Sequence, residues 1–260
     1  MKARMALFTA AFLAAIAMMA TGCSQETKQT QPVETRTSEG GRSKAPPASE
    51  AAEHDLALVR VVHAIPGGDK ADLFAGDQAV FTDVEYKAVT PYRELPEDRT
   101  TFRLRPAGQD TAAPLAEDDE GLAGGKHYTV VALAGDKDKP ASLKVLSDDL
   151  EPPGEGKAKV RVLNASQGAG DVEVVLGGRT EPVAKGTDAN TASSYEEVDP
   201  LAGTLEVRDP GGKKVLARLP DTHLDAGKLY TVIVLGRTAG KPRLELVLVE
   251  DEVRPELGRS

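Results

Sequence analysis

The chain has 260 residues, a formal net charge of −9, 40% hydrophobic residues, one cysteine and no tryptophan. A negative balance argues against nucleic acid, whose phosphates are met by Lys and Arg that displace counterions, and against attraction to anionic lipid. A single thiol excludes any disulfide within the chain, so a folded region must be held by its core alone.

The N-terminus reads as an address. Lys2 and Arg4 precede Met5 to Ala20, an uncharged run of sixteen residues. A bilayer-spanning helix takes roughly 20 apolar residues, so the run is short for a permanent anchor and has the length and flanks of a secretory signal. Ala20-Thr21-Gly22 then lead into Cys23. This order resembles the lipobox of bacterial lipoproteins. The resemblance implies a signal peptide over 1–22, cleavage before Cys23, and acylation of that residue by diacylglycerol and a further chain such as palmitate. The alternatives are an ordinary cleaved signal with an incidental thiol, or an uncleaved anchor. All four methionines precede Cys23, so cleavage would leave a chain without Met and take the formal net charge from −9 to −11. Each buried CH₂ of an acyl chain is worth about 0.8 kcal/mol, and two chains anchor stably where one is marginal. Ser24 after the cysteine favours the outer membrane, by analogy, if the cell is Gram-negative.

Residues 23–55 read as the lipidated cysteine and a tether. The 32 residues from Ser24 to Asp55 contain no Leu, Ile, Phe, Tyr, Trp or Met, so they cannot bury enough apolar area to offset their ordering entropy. A coil of that length spans on the order of 30 Å.

An internal repeat follows. "LVRVVHA" (58–64) matches "KVRVLNA" (159–165), "TFRLRPAG" (101–108) matches "TLEVRDPG" (204–211), and "LAGGKHYTVVALAGDKDKPASLKVL" (122–146) matches "LDAGKLYTVIVLGRTAGKPRLELVL" (224–248). The offset drifts only from 101 to 103. A unit of about a hundred residues suits an independent domain rather than a solenoid repeat. The predicted boundaries are 56–150, a linker at 151–156 ("EPPGEG"), 157–252, and a tail at 253–260. The linker is short enough to restrict relative motion.

Each copy reads as all-β. Val59, Val61 and His63 alternate with Arg60 and Val62, and Val160, Val162 and Asn164 alternate with Arg161 and Leu163. Such period-two runs predict half-buried strands. "YTVVALA" and "YTVIVLG" are continuous apolar runs, suited to central strands covered on both faces. Strands without intervening helices predict a sandwich or barrel in each copy. Tyr128 and Tyr230 each follow a Gly-Lys turn at the start of such a run. They resemble the tyrosine corner of immunoglobulin-like sandwiches, in which the hydroxyl bonds upstream backbone, and are read as structural.

Over both halves the repeat resembles an exported bacterial family, domain of unknown function 4397. The resemblance rests on "VRVVHAIPGGDKADLF" (59–74), "LPEDRTTFRLRPAG" (95–108) and "GKHYTVVAL" (125–133). The second copy departs at "NASQGAGDVEVVLGG" and is looser over "TDANTASSYEEVDPLAG". The resemblance implies a cell-envelope location and two tandem immunoglobulin-like sandwiches, and transfers no catalytic residue.

No HExxH, GxSxG or P-loop occurs, so no catalytic residue and no cofactor are expected. His63, replaced by Asn164 in the second copy, shares with Asn the ability to bond a following loop and is read as structural. No close set of three or four ligands for a metal is seen. The acidic runs "AEDDEG" (116–121) and "GDKDKP" (135–140) lack the D-x-[DN]-x-[DN]-G pattern and read as solvated loops. Tyr92 and Tyr195, in the mid-repeat segments "TPYREL" and "SSYEEV", are the candidate binding residues, as aromatics expected to be exposed on loops; the alternative is that they plug the sandwich end.

The expected function is that of a non-enzymatic, membrane-anchored envelope lipoprotein that binds or scaffolds another envelope protein. The alternative is a glycan- or small-ligand-binding module with an apolar cleft near Tyr92 or Tyr195. An enzyme would need a constellation assembled only in three dimensions, such as His63 with Asp69 and Asp72. Expected partners are the membrane, through the lipid, and an envelope protein or glycan, with nucleic acid excluded.

Overall fold

The computed structural model describes residues 56–135, 140–178 and 181–251. The predicted signal peptide, Cys23, the tether and the tail at 253–260 lie outside these residues. Both copies of the repeat fall in one compact unit, Pro46–Ser260.

The first copy comprises β1 (Leu56–Ala64), β2 (Ala71–Ala75), β3 (Gln78–Val84), β4 (Arg93–Pro96), β5 (Arg99–Pro106), β6 (Ala116–Gly121), β7 (His127–Leu133) and β8 (Ser142–Asp148). The second comprises β9 (Ala158–Asn164), β10 (Val172–Leu176), β11 (Pro182–Thr187), β12 (Thr191–Ala192), β13 (Glu196–Val198), β14 (Leu201–Arg208), β15 (Val215–Leu224), β16 (Leu229–Leu235) and β17 (Glu245–Asp251). No helix occurs among the described residues. Each copy is a pair of sheets, as the alternating patterns predict. The orders are β4-β1-β7-β8 and β3-β2-β5-β6 in the first copy, and β12-β9-β16-β17, with β13 also on β9, and β11-β10-β14-β15 in the second. In each copy the first strand pairs in parallel with the penultimate one, β1 with β7 and β9 with β16, and the other strand pairs are antiparallel. The run "AEDDEG" is not a loop but the edge strand β6, laid antiparallel on β5 from Arg99↔Gly121 to Leu104↔Ala116. Its charges point along an edge, which suits a strand that must not recruit further strands. Most of "GDKDKP" lies outside the described residues.

Each sandwich has its own core. Val59, Val61, Leu73, Phe102, Leu104 and Val130 fill the first, and Val160, Val162, Val174, Leu205, Val207 and Val232 fill the second. The other face of β1 does not meet water. Val62, Ala64, Val131 and Leu133 pack against Leu163, Ala165, Ile233 and Leu235 in a third apolar cluster, which is the seam between the two sandwiches. The expectation that β1 and β9 are half-buried is therefore corrected. Their residues are buried on both faces, Arg60 and Arg161 included. One face is covered by the copy's own second sheet and the other by the neighbouring copy. Full burial of a Val, Leu or Ile is worth roughly 1.5–3 kcal/mol, so this cluster supplies most of the seam's attraction.

Candidate functional site at the seam

At one margin of the apolar seam the two copies exchange charges. Arg60 of β1 forms an ion pair with Asp251, at the end of β17, with Nη2 2.7 Å from Oδ1. Arg161 of β9 forms an ion pair with Asp148, at the end of β8, with Nη2 2.6 Å from Oδ1. The two ion pairs are reciprocal, each running from one sandwich to the other.

The remaining carboxylate oxygen is served from within the same copy. Asp148 Oδ2 accepts from Thr129 Oγ1 at 2.6 Å and from the Tyr92 hydroxyl at 2.6 Å. Asp251 Oδ2 accepts from Thr231 Oγ1 at 2.6 Å and from the Tyr195 hydroxyl at 2.8 Å. The threonines in turn accept from Arg60 Nε and Arg161 Nε, at 2.9 and 3.0 Å. Each guanidinium lies over the tyrosine of its own copy, Arg60 4.8 Å from the Tyr92 centroid and Arg161 4.7 Å from that of Tyr195. Arg60 and Arg161 side chains are 5% and 4% exposed and both aspartate side chains 0%, so the network is paired out of water.

Such burial shifts the groups. Burial and then the Asp148 carboxylate push the Tyr92 hydroxyl well above the usual phenol range. The Tyr195 hydroxyl is pushed up chiefly by burial, with Asp251 adding to it. Asp148 is driven up by burial, but Arg161 and then Arg60 outweigh that and hold its carboxyl below the ordinary carboxylate range. A buried pair contributes little net stability over apolar residues of the same shape, whereas removing one partner costs about 3–5 kcal/mol. The apolar cluster therefore drives the copies together, and the charges fix the register in which they meet.

The expected exposure of Tyr92 and Tyr195 is corrected. Both are only partly accessible and both hydroxyls are committed. Each ring is held by its own copy, under the arginine and beside the aspartate of the same sandwich. His127 also stacks edge-on against Tyr92, with centroids 5.1 Å apart.

Further polar contacts cross the seam elsewhere. Lys87 meets Glu245 at 2.6 Å, Lys144 Nζ donates to the Asn190 carbonyl at 3.0 Å, and Arg237 Nη2 donates to the Pro66 carbonyl at 3.0 Å. Gly236, just before that arginine, has φ +89°, and a Cβ there would lie 2.2 Å from the Arg243 carbonyl oxygen, so only glycine fits. The linker is tied down by Gly154 N donating to Glu197 Oε1 at 2.7 Å.

The four residues read as structural sit as follows. His63 is buried, with Nε2 3.2 Å from the Asp69 carbonyl and Nδ1 accepting from Ile65 N at 3.4 Å. Asn164 donates to the Gly170 and Thr187 carbonyls at 2.8 and 3.1 Å and accepts from Ser166 Oγ at 2.6 Å. The Tyr128 hydroxyl accepts from Ala123 N at 3.0 Å, and that of Tyr230 from Asp225 N at 3.1 Å. The set His63, Asp69 and Asp72 does not assemble as a catalytic group. His63 meets the backbone of Asp69, and the Asp72 oxygens accept from Asp83 N at 2.7 Å and Gly108 N at 2.8 Å. Among the described residues no three His, Cys, Asp or Glu side chains are grouped to hold a metal.

Sequence reasoning missed Arg60, Arg161, Thr129, Thr231, Asp148 and Asp251. A signal was present. Arg recurs in "VRVVHA" and "VRVLNA", Thr in both "YTV" runs, and Asp in "VLSD" and "LVED". Charged and hydroxyl residues kept in register in both copies, on strands with no local use for them, mark a shared contact.

Residues 57–175 match the family model described as Domain of unknown function (DUF4397). The matched residues span the first sandwich and run into the opening strands of the second. No curated protein matches the chain. Among solved structures, the C-terminal domain of AlgF from P. aeruginosa is 23% identical, with a TM-score of 0.31, covering 37% of this chain and 100% of that one. A candidate cell adhesion protein from Bacteroides uniformis ATCC 8492 is 12% identical, with a TM-score of 0.24, covering 76% of this chain and 99% of that one. These likenesses are too slight to carry an argument.

Proposed function

We propose that this protein is a non-enzymatic envelope lipoprotein, anchored through an acylated Cys23, that holds two β-sandwiches as one rigid body for another envelope protein to dock on. The observation that supports this reading is the reciprocal Arg60–Asp251 and Arg161–Asp148 pairing. It fixes one sandwich against the other, so the two outer sheets, β3-β2-β5-β6 and β11-β10-β14-β15, keep a constant spacing and angle. A rigid pair of binding faces loses less freedom on docking than two hinged ones. The inner faces are used up by the seam, which leaves the outer sheets and the loops at the sandwich ends for a partner. The 32-residue segment from Ser24 to Asp55 would hold that body off the lipid surface.

Crosslinking in intact cells, with capture through a C-terminal tag and mass spectrometry of the N-terminal peptide, tests the reading. It expects one recurring envelope protein and an N-terminus at acylated Cys23. An unmodified Cys23, or capture of no protein in repeated trials, would sink it.

A further inference from the structure

The two sides of this charged cluster, around Tyr92 and around Tyr195, are related by the internal repeat, yet they are built differently. Tyr195 lines a groove of about 280 Å³ together with Arg161, Ala192 and Ser194 of the second copy and Ser147 and Asp149 of the first. The strand registers identify the residues at the matching positions beside Tyr92. Ala192 pairs Leu163 as Val89 pairs Val62. Ser147 pairs Tyr128 as Glu250 pairs Tyr230. Ser194 precedes Tyr195 as Pro91 precedes Tyr92. The substitutions are Val to Ala, Glu to Ser and Pro to Ser. Each one removes bulk on the Tyr195 side and two of them add a hydroxyl. Beside Tyr92, Glu250 is instead held by Lys228 at 2.5 Å.

What the missing bulk exposes is chemically specific. Ser147 and Ser194 are exposed and their hydroxyls make no hydrogen bond among the described residues. Asp149 is also exposed and uses one carboxylate oxygen on Glu151 N, at 3.4 Å. The Tyr195 ring supplies an apolar wall whose hydroxyl is fixed by Asp251. The positive charge of Arg161 is already met by Asp148, so the groove offers no free cation, and Asp149 makes its rim negative. An aromatic wall with several hydroxyl-sized donors and acceptors matches the alternating CH face and OH edge of a sugar. A volume just below the roughly 300–1,000 Å³ range of drug-sized ligand sites suits one ring.

We infer that this groove is a binding site for a neutral sugar unit, one ring of an uncharged glycan or a polyol of that size, recognised by Tyr195, Ser147, Ser194 and Asp149. The site goes beyond the docking role proposed above and does not depend on it. It exists only in the assembled pair, because Ser147 and Asp149 come from one sandwich and Tyr195 and Ser194 from the other.

The test is saturation-transfer NMR and calorimetric titration of the full chain in detergent, with methyl glucoside, N-acetylglucosamine and glucuronate as probes. A neutral sugar is expected to bind, with its ring CH protons receiving saturation, and glucuronate to bind more weakly. The variant Ser147→Glu/Ala192→Val/Ser194→Pro copies the Tyr92 side onto the groove and should lose affinity about tenfold or more, where tenfold corresponds to 1.4 kcal/mol. Should that triple variant unfold, Ser147→Glu alone, at an exposed position, is expected to weaken binding in the same direction. Failure of every neutral probe to bind the unaltered chain would overturn the inference. So would unchanged affinity in a folded groove-filling variant, or tighter binding of glucuronate than of the neutral sugars.

Discussion

The two sandwiches share a frame, and their cores and outer sheets differ at several matching positions. Phe102 in the first core becomes Leu205 in the second, and buried His63 becomes Asn164. On the outer sheets the charges are exchanged. Arg103 Nε of β5 faces Glu117 of β6 at 3.6 Å, while at the matching positions Glu206 of β14 faces Arg218 Nε of β15 at 2.9 Å. The seam quartet does not vary. Arg, Tyr, Thr and Asp stand at 60, 92, 129 and 148 and again at 161, 195, 231 and 251. A core or an outer pair can change within one copy, because its partners lie in that copy. An arginine in the seam has its aspartate in the other copy, so a change on one side strands a buried charge on the other.

The strongest way to break this comparison is to remove one seam carboxylate. Asp148→Ala leaves Arg161 buried without its partner and should destabilise the whole unit by about 3–5 kcal/mol, read from the denaturant midpoint. Asp251→Ala should cost the same, and the double variant clearly less than the sum, since both changes act on one network. Additive losses, or two separate unfolding transitions in the unaltered chain, would mean that the sandwiches are not coupled.

The cores should respond independently of each other. Phe102→Ala is expected to cost about 3–5 kcal/mol and Leu205→Ala about 2–5 kcal/mol, with the two losses adding because the sites share no partner. Coupling between them would place the seam's influence deeper than its own residues.

His63 and Asn164 offer a sharper contrast, through pH. Burial lowers the His63 pKa, while its backbone bond to Asp69 opposes that shift. Below the ordinary histidine value of about 6.5 the unfolded chain takes up a proton that the folded chain does not. Stability from this group is therefore complete above that pH and declines as pH falls from there towards the lowered folded value. His63→Asn should remove that part of the acid sensitivity, and His63→Ala should cost about 1–3 kcal/mol for the polar groups left unpaired. Both follow from denaturation midpoints measured between pH 5 and pH 8. An unchanged slope in the asparagine variant would contradict the assignment.

The smallest effects belong to the surface. Arg103→Glu/Glu117→Arg copies the polarity of the second copy and should shift stability by no more than about 0.5 kcal/mol. Lys87→Ala breaks a partly exposed pair across the seam and should cost roughly 0.2–1 kcal/mol, less at high salt. A larger loss from Lys87→Ala would make that pair a second lock on the seam.

Much of the fold was legible in the chain. The β content and the faces of the strands follow from period-two alternation and from the two "YTV" runs, because a strand's facing is a local property. The edge strand β6 was not legible. Its residues, Ala116 to Gly121, carry too many charges to resemble a strand until they are laid against β5. The partial burial of Tyr92 and Tyr195 was not legible for a related reason, since an aromatic in a polar segment looks exposed unless its surroundings are known.

By itself the sequence determined two copies of one sandwich and the faces that fill each core. Tertiary structure alone decided that the second face of β1 and β9 is also an interior, that Arg60 and Arg161 answer Asp251 and Asp148 across it, and that a groove opens on one margin of the seam. The physical reason is range. Strand periodicity records which residues avoid water, but not whether a sheet of the same copy or a neighbouring copy excludes it. A charge on a covered face is intelligible only when its counter-charge is found, and for Arg60 that is Asp251, 191 residues further along the chain.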